Sequence, residues 1–125
     1  MEKIRIGKMF KFDAAHRLPN HKGLCNNLHG HSYQLLVEVE GLISLNNTDP
    51  QWGMVMDYGQ LKEIVKPLII DRMDHAYLND IFPNPTAENM VVYIATIIKS
   101  LLPIDLKLTK VVLWETNTSY AEWRG

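Results

Sequence analysis

Two runs of alternating polarity, separated by a short polar loop, constrain this chain more than any other feature. Ile4, Ile6, Phe10, Phe12, Ala14 and His16 share one parity, with Lys8 as the exception. From His29 to Glu40, residues His29, His31, Tyr33, Leu35, Val37 and Val39 share one parity. Ser32, Gln34, Glu38 and Glu40 take the other, with Leu36 as the apolar intruder. A period of two over such lengths predicts two half-buried strands. Pro19, Asn20, Lys22, Gly23, Asn26 and Asn27 mark the loop between them, with Cys25 inside it. If the first strand persists to its end, His16 faces the same way as the two phenylalanines.

The pattern then changes. Asn46-Asn47-Thr48-Asp49-Pro50 is turn chemistry. Asp57 predicts a helix cap, with Gln60 completing a box-like signal, and Leu61, Ile64, Val65, Leu68 and Ile69 form one apolar stripe. Pro67 falls inside that stripe and predicts a kink or a shortened helix. A second helix is expected after Pro85-Thr86, capped by Thr86, with Met90, Val91, Ile94, Ile97, Ile98 and Leu101 inward and Pro103 as its stop. Two last strands follow, near Lys107 to Glu115 and Ser119 to Arg124, joined around Asn117. Strands paired through short connections at both ends predict an α+β fold, a four-stranded antiparallel sheet with both helices on one face. The 125 residues fit a single domain spanning 1–125. The sheet's other face then needs a cover, most simply copies of the same chain.

Several function classes are disfavoured at once. A formal charge of -1 argues against a nucleic-acid binder driven by bulk charge. The first residues, Met1-Glu2-Lys3-Ile4-Arg5, contain no apolar run of the signal-peptide kind. The longest apolar stretch, near Met90 to Leu102, is too short and interrupted to span a bilayer. Cys25 is the single cysteine, so no internal disulfide forms, which suits a reducing, cytoplasmic setting.

The chemistry centres on His29-Gly30-His31. Residues two apart on a strand project to one side, so both imidazoles reach one ion. His16 ends the neighbouring strand in the same phase and supplies a third. Three neutral imidazoles make a zinc site with its fourth position open, the catalytic form. A lone His-x-His pair reads more simply as solvated rings at a strand start, and the third histidine shifts the balance. His21, in a polar Pro- and Gly-flanked loop, reads as an exposed histidine. Cys25 precedes His29 in a loop that runs toward the site, where a cation would raise its thiolate fraction. A packed inert cysteine and a fourth metal ligand are its other readings. Asp74 beside His75 can orient a ring nitrogen and supply a proton shuttle, or form a solvated helix end. Glu115 ends an apolar strand in phase with Thr109, Val111 and Leu113. It needs a partner there, either a ligand with two adjacent N–H donors or a nearby cation such as Arg124.

The stretches Phe10-Lys11-Phe12-Asp13-Ala14-Ala15-His16-Arg17-Leu18, Cys25-Asn26-Asn27-Leu28-His29-Gly30-His31, Gly53-Met54-Val55-Met56-Asp57, Asp74-His75-Ala76-Tyr77-Leu78-Asn79, Pro85-Thr86-Ala87-Glu88-Asn89 and Glu115-Thr116 run in order over nearly the whole chain. In this the chain resembles the 6-pyruvoyltetrahydropterin synthase superfamily. The resemblance implies a tunnelling fold (T-fold) in which subunits join their sheets into a barrel, usually as trimers stacked into hexamers. It implies zinc on His16, His29 and His31, Cys25 as the proton-abstracting thiolate, Asp74 and His75 as relay partners from an adjacent subunit, and Glu115 as the anchor of the pterin's amino-pyrimidine edge. The implied substrate is 7,8-dihydroneopterin triphosphate. Three residues separate Cys25 from His29. That short spacer resembles the 6-carboxytetrahydropterin synthase branch of queuosine and 7-deazaguanine biosynthesis, a lyase reaction.

Three rivals remain open at this stage. One is 6-pyruvoyltetrahydropterin synthase itself, which eliminates triphosphate without cleaving a carbon–carbon bond. Another is a non-catalytic zinc-dependent pterin binder, and the third is a closed Cys-His₃ structural zinc module. Arg17, Lys22 and Arg72 are unranked candidates for holding the triphosphate.

Overall fold

A computed structural model describes residues 2–125. Strands β1 (Lys3–His16) and β2 (His29–Leu42) are followed by helices α1 (Tyr58–Val65) and α2 (Ala87–Leu101), then by strands β3 (Lys107–Thr116) and β4 (Ser119–Arg124). The sheet order is β1-β2-β3-β4 with every neighbouring pair antiparallel. The predicted element order and the α+β layout are therefore both present.

Parity decides what each strand buries. Phe12, Ala14 and His16 of β1 and Tyr33, Leu35, Val37 and Val39 of β2 are buried, as the alternation requires. They pack with Leu61 and Val65 of α1 and with Met90, Val91, Ile94, Ala95 and Ile98 of α2. Each buried Val, Leu, Ile, Met or Phe among them contributes about 1.5–3 kcal/mol by leaving water. The opposite face carries exposed Met9 and Tyr120, and ion pairs of Arg5 with Glu38 and Glu40 and of Lys110 with Glu38. Among the described residues, no helix is long and apolar enough to cross a membrane.

Three details differ from expectation, each for a local reason. Pro67 has no N–H to continue the ladder, and the chain opens into a π-turn over Lys66–Ile70 before one further turn, Asp71–Met73. The extra residue rotates the stripe, so Leu68 points outward and Met73 is buried in its stead, while Ile69 is buried as expected. Asp57 caps α1 by accepting from the Gly59 N–H, but Gln60 does not close a box. Gln51 intervenes, its Oε1 accepting from the Asp57 N–H and its Nε2 donating to Gln60. Leu101, expected inward, lies exposed in the last turn of α2, where the chain turns away before Pro103.

Two register shifts shape β3. One lies opposite Glu38 and Val39 and turns Thr109 out of phase. Its hydroxyl donates to the Glu38 carbonyl and carboxylate, and Leu108 takes the core position. The other falls between Trp114 and Thr116 and leaves Glu115 in a bulge. Bulges re-aim side chains, and this one acts at the site. Ile94 is fully buried between helix and sheet. Ile94→Ala is expected to lower the unfolding free energy by about 2–5 kcal/mol in a denaturant titration; a loss under about 1 kcal/mol would contradict this packing.

Candidate metal centre

The register of β1 on β2 pairs His16 with His29 and Ala14 with His31. Strand parity then turns all three rings to one side, with nitrogen atoms within 4.8 Å of one another. The outer nitrogens are already committed. His16 Nδ1 donates to the Pro85 carbonyl at 2.8 Å and His29 Nδ1 to the Asn27 carbonyl at 2.7 Å. A carbonyl only accepts, so both Nδ1 atoms carry the proton, and in neutral rings both Nε2 atoms present lone pairs.

Those two Nε2 atoms face each other at 3.0 Å. Lone pairs so placed repel unless a cation or a shared proton lies between them. His31 Nε2 is buried and, among the described residues, has no hydrogen-bond partner. Burial pushes the His31 imidazole below its usual range, against the pull of the Glu115 carboxylate, which favours the neutral, ligating form. An orphaned buried nitrogen beside two converging lone pairs is the arrangement a metal ion resolves. Zinc–nitrogen bonds of about 2.0–2.1 Å in a tetrahedron set ligand nitrogens about 3.3 Å apart, close to the 3.0 Å between the His16 and His29 Nε2 atoms. The cluster can therefore hold one metal ion.

Glu115 reaches the same place. Its Oε1 lies 3.3 Å from His16 Nε2 and 3.5 Å from His31 Nε2. Arg124, the alternative partner, is bound to Glu122 instead. Glu115 also borders a cavity of about 450 Å³ between the first turns of α2 and β4, with Glu88, Val91, Tyr120 and Trp123 among its walls. The site thus joins three imidazoles to a cavity lined by three carboxylates, Glu88, Glu115 and Glu122.

Cys25 sits half-buried in a short 3₁₀ turn, Leu24–Asn26. Its carbonyl accepts from the Leu18 N–H, and Arg17 holds Asn26 through both the carbonyl and the side chain. Among the described residues, the ligand cluster is the three histidines without Cys25, so a closed Cys-His₃ set does not form. His21 is exposed, and its ring accepts from the Gly23 N–H.

Asp74 and His75 do touch, with His75 Nδ1 3.1 Å from Asp74 Oδ2. The Asp13 N–H donates to Asp74 Oδ1, and the His75 N–H donates to the Asp13 carbonyl. The edge of β1 thus clamps the pair. His75 takes φ +59°, a left-handed conformation, and leaves its side chain 81% exposed. It borders two cavities, one shared with Gly30, His31 and Ser32 and the other with Lys11, Ser32, Gln34 and Asn117.

The family model described as 6-pyruvoyl tetrahydropterin synthase matches residues 5–125. The chain belongs to this family. A relative in Haemophilus influenzae named 6-carboxy-5,6,7,8-tetrahydropterin synthase is 37% identical, over 97% of this chain and 99% of the relative. One in Pyrococcus furiosus named dihydroneopterin monophosphate aldolase is 40% identical, over 92% of each chain. The solved structure of Caenorhabditis elegans 6-pyruvoyl tetrahydropterin synthase superposes with a TM-score of 0.83 at 30% identity, covering 100% of this chain and 97% of that one. That likeness places the fold among the T-folds of the 6-pyruvoyl tetrahydropterin synthase family.

For this family member, the expected residues fall into three places. His16, His29, His31 and Glu115 gather at one site, Asp74 and His75 form a separate pair, and Cys25 stands in the loop that enters β2. The triphosphate candidates diverge: Arg17 is engaged with Asn26 and Arg72 with Tyr93, and Lys22 lies exposed. Glu88 went unnoticed in the sequence because Pro85-Thr86-Ala87-Glu88-Asn89 reads as a helix start. An acidic residue in a helix's first turn was the available signal.

Two outcomes follow for the clamped pair. Asn tolerates the left-handed region and a β-branched residue does not, so His75→Asn should hold stability within about 0.5 kcal/mol. His75→Val should lose about 1–3 kcal/mol in thermal unfolding, and equal stabilities would contradict the clamp. The Asp13 N–H holds the Asp74 carboxyl below its ordinary 3.8, with the His75 ring adding to the effect. A depressed carboxyl stabilises the fold above its unfolded value and loses that contribution as pH falls through the folded one. The melting-temperature gap between wild type and Asp74→Asn should therefore be present at neutral pH and close below about pH 4. A gap that widens in acid would contradict it.

Proposed function

We propose that residues 1–125 act as one zinc-dependent domain that converts 7,8-dihydroneopterin triphosphate and one water to 6-carboxy-5,6,7,8-tetrahydropterin, acetaldehyde and triphosphate, a lyase step of queuosine and 7-deazaguanine biosynthesis in the cytoplasm. The carrying observation is the open cluster of three imidazole nitrogens, joined through Glu115 to a ligand-sized cavity. Membership of the 6-pyruvoyl tetrahydropterin synthase family and the relative named for this reaction support the substrate. The short spacer from Cys25 to His29 supports the carboxy-forming branch.

His16, His29 and His31 would hold the zinc ion, which when bound would supply Lewis-acid polarisation of the substrate's side-chain hydroxyls. Glu115 receives adjacent N–H donors of the amino-pyrimidine edge. The Cys25 thiolate removes a side-chain proton, and His75, oriented by Asp74, carries protons onward. The electrons rearrange within the substrate, so no redox cofactor is required. An exposed His75 suits a relay delivered to a neighbouring copy. Subunits joined sheet to sheet, as trimers stacked into hexamers, would bring Asp74 and His75 to the next subunit's Cys25 and cover exposed Met9 and Tyr120.

A second reading has its own support. The relative named as an aldolase favours aldol-type cleavage of a dihydroneopterin phosphate on the same site. Incubating the purified protein with dihydroneopterin triphosphate, and separately with the monophosphate, then weighing the products, separates the readings. The proposal expects 6-carboxytetrahydropterin and acetaldehyde from the triphosphate. A pyruvoyl product without acetaldehyde, cleavage confined to the monophosphate, or no turnover would each overturn it. Cys25→Ala should lower kcat by about 10²–10⁴-fold with zinc still bound, and wild-type rates in that variant would remove Cys25 as the base.

A further inference from the structure

We infer that Asn89 is a positioning residue for the metal centre, acting on His16 through the main chain of Asn84–Thr86. The inference rests on the zinc reading above and adds a residue that is outside both the ligand cluster and the cavity walls. His16 is fully buried, so its Nδ1–H has no water to turn to, and the Pro85 carbonyl at 2.8 Å holds the ring. The Tyr33 hydroxyl, 3.4 Å from the same nitrogen, is a longer contact. The peptide unit that carries the Pro85 carbonyl also carries the Thr86 N–H, which donates to the Asn84 carbonyl at 2.9 Å. That same Asn84 oxygen accepts from Asn89 Nδ2 at 2.9 Å. The side-chain amide therefore pins the oxygen that fixes the peptide plane that orients the ligand. Such partners of metal-bound histidines fix the tautomer and aim the lone pair.

The Asn89 side chain is separable from the helix cap. The cap is made by its main-chain N–H, which donates to the Thr86 hydroxyl at 3.2 Å. An Asp at this first-turn position suits the helix dipole but has no N–H to offer Asn84. Thr86→Ala does the reverse, removing the cap and leaving the Asn89 amide in place.

The test is chelator competition for zinc on the purified protein, with thermal unfolding in excess chelator as the stability readout. Asn89→Asp and Asn89→Ala should each lose zinc at a tenfold or lower chelator concentration, in line with other partners of ligating histidines. Asn89→Asp should melt at or above wild type. Thr86→Ala should melt lower yet hold zinc within about twofold of wild type, since its latch is intact. Wild-type zinc affinity in both Asn89 variants would overturn the inference, as would an equal loss in Thr86→Ala. Should Asn89→Asp fail to fold, Asn89→Ala decides alone. A wild-type protein that takes up no zinc would instead overturn the zinc reading itself.

Discussion

Two imidazole lone pairs held 3.0 Å apart are the constraint around which the rest of this structure is arranged. Between neutral rings the contact is unfavourable, and with both Nδ1 protons given to carbonyls only a cation or a shared proton between the Nε2 atoms relieves it. The protein builds the conflict from two distant places. Asn27 supplies one carbonyl from the loop entering β2, and Pro85 supplies the other from the start of α2. A third nitrogen, on His31, is buried without a partner among the described residues. A divalent cation bound there would turn all three liabilities into bonds and would face the Glu115 carboxylate.

The sheet makes this geometry rigid. Pairing His16 with His29 is a consequence of the long β1–β2 register, which continues without a shift back to Lys3 and Leu42. A slip of one residue would turn every histidine to the other face together with the core residues Phe12, Tyr33 and Leu35. The ligands are thus held by the same hydrophobic burial that folds the domain. The irregular features fall elsewhere: the bulge at Glu115, the left-handed turn at His75 and the π-turn after Val65. Bulges and strained turns of this kind re-aim side chains next to active sites. Glu115 and His75 are two that the proposed reaction uses.

Much of this was legible in the sequence. Parity alone put His16, His29 and His31 on one face, because a strand's side-chain period does not depend on its partners. The element order, both helix caps and the Pro103 stop were equally readable. Other features were not, for physical reasons. The Asn27 and Pro85 carbonyls are main-chain atoms, and any residue would supply one, so no side-chain pattern announces them. Thr109 shared a parity with Val111 until a bulge took it out, and bulges depend on the neighbouring strand. Leu68 followed the 3.6 period until Pro67 added a residue to the turn. Glu115 was marked correctly as a carboxylate in need of a partner, but the bulge that brings it to His16 and His31 is invisible to periodicity.

The account turns on an ion held by three imidazoles and no thiolate. Zinc content of the purified protein, combined with X-ray absorption at the zinc edge, tests this most directly. The account predicts about one zinc per chain, with nitrogen neighbours near 2.0–2.1 Å and no sulfur neighbour. A sulfur shell at about 2.3 Å would make Cys25 a ligand and the site a closed structural one; a chain that stays metal-free when zinc is supplied would leave the converging lone pairs without their cation.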